Sequence, residues 1–167
     1  MPNPPTSLFR TPIESADGTF LAFFSERGLC RLDFPGRKSP PAADAKAPAK
    51  IQSWQRQTEQ ALRRCLAGQK PAALPPLDTS GSEFQQAVWR VLSAITPGQT
   101  MTYAQVACAV KRPLAARAVG QACGANPIPV LIPCHRVLAA GGGVGGFSGG
   151  LNWKRRLLER EGIAPKT

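Results

Sequence analysis

The sequence predicts an α+β protein, with a small antiparallel meander and one helix followed by a mainly helical segment. Three observations carry this. Short alternating apolar runs before residue 35 are separated by Asp17-Gly18 and Arg27-Gly28 breaks. Apolar stripes of helical period dominate from Gln52 onward. The proline-rich stretch "PAALPPLD", ending at Asp78, stands between the two regimes as a stiff connector. At 167 residues the chain can bury a core without disulfide staples.

Taken in order, "SLFRTPI", "TFLAFFSE" and "LCRLDF" are the strands of the meander. Residues 35–50, "PGRKSPPAADAKAPAK", have no large apolar side chain and predict a mobile surface loop. A helix is expected from Gln52, with Trp54, Thr58, Ala61, Leu62, Cys65 and Leu66 on one face and Gly68 as its stop. The domains implied are 1–78 and 79–167.

In the second segment Ser82 with Gln85 makes a capping-box start. Phe84, Ala87, Val88, Val91, Leu92 and Ile95 then keep the register of a buried stripe until Pro97-Gly98. Thr102 with Gln105 opens a second helix, "YAQVACAV", and "LAARAVGQACGAN" follows a break at Lys111-Arg112-Pro113. Two short helices joined by a tight turn suggest a helix-turn-helix. The later helix is nearly all small residues, with Arg117 its only charge. Tight packing against another helix explains the small residues; a helix pressed into a DNA groove, with Arg117 projecting, explains them too. The glycine-rich "GGGVGGFSGG" is either a linker or a pocket wall, and a closing helix runs from Asn152, with Leu157 and Leu158 inward and Gly162 as its stop.

The net charge of +11 points to a polyanionic partner, and from residue 83 onward ten basic residues face three acidic ones. Five scattered cysteines with no C-x-x-C pair, and a single histidine, exclude a zinc finger and predict reduced thiols in a cytosolic protein. No apolar run approaches a membrane span, and no positively charged start leads into an apolar stretch; a soluble, non-exported protein is expected.

The chemistry concentrates at "VLIPCHRVLAA", where Pro133, a thiol, an imidazole and a guanidinium interrupt an apolar run. A free thiol is only a few per cent thiolate at neutral pH, so a nucleophilic Cys134 needs a base, and His135 is the sole imidazole. Neighbours on a strand point to opposite faces, so a bend after Pro133 or a bridging water is required. An orienting carboxylate has to come from Glu83, Glu159 or Glu161.

"NPIPVLIPCHRV", with "FQQAVWRVLSAITPGQTMTYAQVA", "AARAVGQACGANPIPVLIPCHRV" and "GGFSGGLNWKRRLLEREG", resembles the O6-alkylguanine-DNA alkyltransferases. "TPIESADGTFLAFFSERGLCRLDF" is more loosely similar to that family's variable N-terminal domain. The resemblance implies an RNase H-like N-terminal domain, a winged helix-turn-helix C-terminal domain, and single-turnover, suicidal transfer of an alkyl group from O6-alkylguanine in double-stranded DNA to Cys134. O4-alkylthymine is a further substrate it allows. His135 is then the base acting through a water, Glu161 its orienter, and Asn126 the tie between recognition helix and active-site turn. Tyr103 meets the flipped nucleotide and moves a proton to the departing guanine. Arg117 fills the vacated stack, with Ala116 and Arg136 also at the DNA. Pro129, Val137, Phe147, Ser148 and Gly149 line the base pocket; many family members have tyrosine where Phe147 stands. Some members hold a structural zinc, but no metal or cofactor is expected here, because His135 is already engaged. A monomer in the cytoplasm, associated with the nucleoid, is implied. The rival readings are a non-catalytic alkylated-DNA binder, a winged-helix regulator and a Cys-His hydrolase.

Overall fold

The computed structural model describes residues 8–36 and 46–166. Strands β1 (Phe9–Ser15), β2 (Gly18–Phe24) and β3 (Leu29–Asp33) form an antiparallel sheet in the order β1-β2-β3. Ser15 pairs with Gly18, so Ala16 and Asp17 form a two-residue turn, and Gly18 sits at φ 115°. Along β2 the period of a pleated strand sends Phe20, Ala22 and Phe24 into the core.

Helix α1 (Ala49–Leu66) packs against β1. It starts before Gln52, because Ile51 extends the inward stripe of Thr58, Ala61, Leu62, Cys65 and Leu66 and is itself buried. Residues 49 and 50 therefore belong to a helix, a correction to the expected 35–50 loop. Positions 37–45 of that expected loop lie outside the described residues. Trp54 is half-buried, with the Lys50 ammonium 4.9 Å from its ring.

The proline-rich connector is stitched along β3. The Leu29 amide donates to Pro76 O at 2.8 Å, and the Asp78 amide donates to Leu29 O at 2.8 Å. Gly28 is required there: a Cβ would lie 2.3 Å from Pro76 O. Asp78 also takes hydrogen bonds from Ser25 and Arg27, which pin the end of the connector to the β2–β3 turn.

Helices α2 (Glu83–Ala94) and α3 (Tyr103–Ala109) both begin with the reciprocal capping boxes expected at Ser82 and Thr102. Val88, Leu92 and Ile95 are buried as the stripe predicts. Trp89 joins them because its indole N–H reaches Ala122 O at 2.9 Å on α4 (Ala116–Gly124). Helix α5 (Leu151–Arg160) closes the fold. A two-residue strand β4 (Met101–Thr102) pairs in parallel with β5 (Val137–Leu138). This pairing fixes the start of α3 beside the Cys134 turn. One continuous cluster of buried side chains runs from Ile13 on β1 to Leu157 on α5, so both chain segments share a core.

Candidate active site

The approach to Cys134 is a tight crossing built by three prolines, Pro127, Pro129 and Pro133. Val130 inside it is buried at φ 73°, a left-handed conformation that costs a β-branched residue about 1–2 kcal/mol. Asn126 holds the crossing shut. Its Oδ1 accepts from the Ile128 amide at 3.0 Å, and its Nδ2 donates to Ile132 O at 2.8 Å and to Cys134 Sγ at 3.1 Å. One buried amide thus clamps the strained loop and orients the thiol. Cys134, His135 and Arg136 then form a single 3₁₀ turn, the bend the dipeptide requires.

His135 and Glu161 meet across the fold, with Nε2 at 3.0 Å from Oε1 and both side chains 1% exposed. Burial pushes the Glu161 carboxyl up, but hydrogen bonds from His135 and Arg136 outweigh it and hold its pKa down to about 2. Burial pushes His135 below its ordinary value, against the support of Glu161. A neutral imidazole beside an ionised carboxylate must donate Nε2–H, which leaves Nδ1 a bare acceptor. Nδ1 is buried and has no hydrogen-bond partner among the described residues. The arrangement is a base with its back held.

Cys134 is 3% exposed, and burial raises its thiol pKa; the Asn126 hydrogen bond and the Lys154 charge oppose that rise. Lys154 is fully buried, donating from Nζ to Val137 O at 2.6 Å and to Gly146 O at 3.2 Å. Its ammonium lies 5.9 Å from the centre of the Tyr103 ring. Tyr103 is half-buried, and burial raises its phenol pKa, so it stays protonated and able to donate at neutral pH. Cys134 opens onto a cavity of about 740 Å³ that Tyr103, Ala116, Arg117, Gly120, Cys123, Phe147 and Ser148 also line. Cys123, a second thiol there, is pushed up to about 12 by burial and is a poor nucleophile.

Sequence reasoning and geometry part company at several positions. Arg136, expected at the DNA, is buried beneath the site with Nη2 2.7 Å from Glu161 and Nη1 donating to Ile95 O. It neutralises the buried carboxylate instead of facing a partner. Val137 lies in the core and offers only its carbonyl, to Lys154. Pro129 and Gly149 line a neighbouring hollow with Phe34, not the Cys134 cavity; Ser148 borders both. Phe147 packs edge-on against Phe34, centroids 5.7 Å apart, so an apolar ring suits the place where many members have tyrosine. Lys154 was missed, although it stands three, four and seven residues before Leu157, Leu158 and Glu161, on the inward face of α5. Leu114, 99% exposed in the turn before α4 and close to Lys111, Arg112 and Arg117, was missed as well.

No group of three His, Cys, Asp or Glu side chains is placed to hold a metal among the described residues, and no described helix is long and apolar enough to cross a membrane. The family described as "6-O-methylguanine DNA methyltransferase, DNA binding domain" matches residues 83–163. A methylated-DNA–protein-cysteine methyltransferase from Methanosarcina acetivorans is 35% identical over 157 residues, covering 93% of this chain and 97% of that protein. The chain belongs to the methylated-DNA–protein-cysteine methyltransferase family. Within it, the regulatory protein ada of Salmonella typhimurium is 39% identical over 152 residues, which span 86% of this chain and 42% of that protein. The chain therefore spans under half the length of that relative. The crystal structure of Mycobacterium tuberculosis OGT in complex with DNA superposes with a TM-score of 0.71 at 34% identity, covering 92% of this chain and 93% of that one. The name of these relatives calls for a cysteine acceptor, and Cys134, opening on a lined cavity, is a thiol available for that part.

Proposed function

We propose that this chain repairs O6-alkylguanine in duplex DNA by moving the alkyl group irreversibly onto Cys134. The observation that carries the reading is that one cavity joins Cys134 to the exposed Arg117, while His135, the next residue of the same 3₁₀ turn, is held by Glu161. Residues 79–167 act as the DNA-binding and acceptor domain, with α3 and α4 as the helix-turn-helix of a winged arrangement. Residues 1–78 form an RNase H-like supporting domain.

The basic turn carrying Lys111, Arg112 and Leu114, with Arg117 in the first turn of α4, enters the minor groove, where base readout is degenerate and a lesion can be sought in any sequence. The damaged guanine is extruded at a cost of roughly a few kcal/mol. Arg117 offsets that cost by stacking in the gap and bonding to the orphaned base, which a planar cation does well. Cys134 gives its proton, through a water, to Nδ1 of His135, and Glu161 stabilises the imidazolium. The Lys154 charge favours the thiolate. Sulfur attacks the alkyl carbon, the carbon–O6 bond breaks, and guanine leaves with the proton of the Tyr103 hydroxyl, which is replaced from solvent as His135 gives the thiol's proton back to solvent. The product is a thioether with no acceptor, so each chain acts once. The protein works as a cytoplasmic, nucleoid-associated monomer without a cofactor.

The test uses duplex DNA labelled on the methyl of O6-methylguanine. Label is expected to move to protein, to at most one per chain, and to stay on the DNA with Cys134→Ala. Retention on DNA with the native chain, or repeated turnover, contradicts the reading.

A further inference from the structure

Glu161 is the C-cap of α5, so the end of that helix must be fixed if its carboxylate is to stay 3.0 Å from His135. Arg160, the preceding residue, is gripped from outside. Asp17, in the β1–β2 turn, takes two hydrogen bonds of 2.7 Å from the Arg160 guanidinium and a third of 2.7 Å from Arg156. Asp17 is only 6% exposed on its side chain, and its turn is itself braced, with its amide on Ser15 Oγ and the Ser15 hydroxyl on Gly18 O. From the other side, Arg160 Nη1 donates to Leu66 O at the end of α1, at 3.1 Å. The close of α1 also abuts the Arg160 backbone: at Gly68, φ +73°, a Cβ would lie 2.1 Å from Arg160 O.

From this geometry we infer that Asp17 is a positioning residue for alkyl transfer: it locks Arg160 and thereby the place of Glu161 against His135. The inference rests on the proposed transfer reaction. It gives the first chain segment a part in the chemistry although none of its described residues lines the cavity around Cys134. A paired Asp17–Arg160 fork has directional preference, unlike a lone surface charge, and so sets the azimuth of the last turn of α5. When the fork is broken, the helix end frays, as helix ends do, and the His135–Glu161 contact lengthens before anything at the DNA face changes.

The experiment measures single-turnover transfer in the full chain, separating the rate at saturating O6-methylguanine duplex from the dissociation constant. Asp17→Asn is expected to slow transfer about tenfold with affinity for DNA unchanged, since small misplacements of supporting groups cost rates of this size. Arg156→Gln, which leaves the Arg160 fork in place, is expected to transfer within about twofold of the native rate. The deciding arm is the double variant. In a Glu161→Gln background Asp17→Asn adds no further loss, because the group it positions is already disabled. Multiplicative losses, equal losses in rate and affinity, or native rate in Asp17→Asn overturn the inference. If Asp17→Asn folds poorly, Arg160→Gln gives the same comparison from the other partner. A native chain that transfers nothing would instead defeat the transfer reading itself.

Discussion

Glu161→Gln keeps the side chain's size and removes its charge. In the native fold burial drives this carboxyl up, but the hydrogen bonds of His135 and Arg136 bring it from 4.5 down to about 2. A carboxylate whose folded pKa lies below its unfolded value stabilises the fold above the unfolded pKa, and that stability is lost as pH falls through the folded one. At 1.36 kcal/mol per unit the contribution at pH 7 is about 3 kcal/mol. Breaking a buried ion pair from one side costs about 3–5 kcal/mol, which agrees, because Arg136 is left buried without its counter-charge. Urea unfolding of the native chain and the variant is compared at neutral pH and near pH 3, and the difference between them is read. The variant is expected to be less stable by about 3 kcal/mol at pH 7, with the gap narrowing to roughly 1 kcal/mol near pH 3. A gap that does not change with pH would refute the ionised, hydrogen-bonded carboxylate at the centre of this site.

Lys154→Met removes the donor shared by the buried Val137 carbonyl and the more open Gly146 carbonyl; the buried one costs about 1–3 kcal/mol when unsatisfied, and a lower melting temperature is expected. The same variant loses the cation that favours the Cys134 thiolate, so its transfer rate is depressed at neutral pH and recovers as pH rises; a uniformly depressed profile would deny the electrostatic part. Arg117→Ala is expected to weaken transfer from duplex DNA more than transfer from a free base analogue, and equal losses would argue against insertion into the stack. Binding to duplex DNA weakens as salt rises with a log-log slope of about −0.9 per phosphate contact, and a flat response would remove the electrostatic basis of docking.

Much of this was legible in the sequence, for physical reasons that also explain the gaps. The capping boxes at Ser82 and Thr102 are local devices and form as read. The turn at Asp17-Gly18 was legible as a turn, but Asp17's hold on Arg160 spans 143 positions and leaves no local signature. Strands β4 and β5 are two residues each, too short for any period to appear. Arg136 reads as surface because arginine is seldom buried, and only the fold brings a buried carboxylate to it. Lys154 was hidden by the basic run around it, though its helical phase with Leu157, Leu158 and Glu161 marked it as inward. The glycine-rich run 141–150 was open between linker and wall; Gly146, Phe147 and Ser148 border the Cys134 cavity, so it is a wall.

The most direct measurement is the mass of the intact chain, followed by peptide mapping, after incubation with excess O6-methylguanine duplex and again after a second challenge. The expected result is a gain of one methyl on Cys134 that persists and does not increase. An unmodified chain, a methyl on Cys123 or another thiol, or a modification that is later lost would contradict the account.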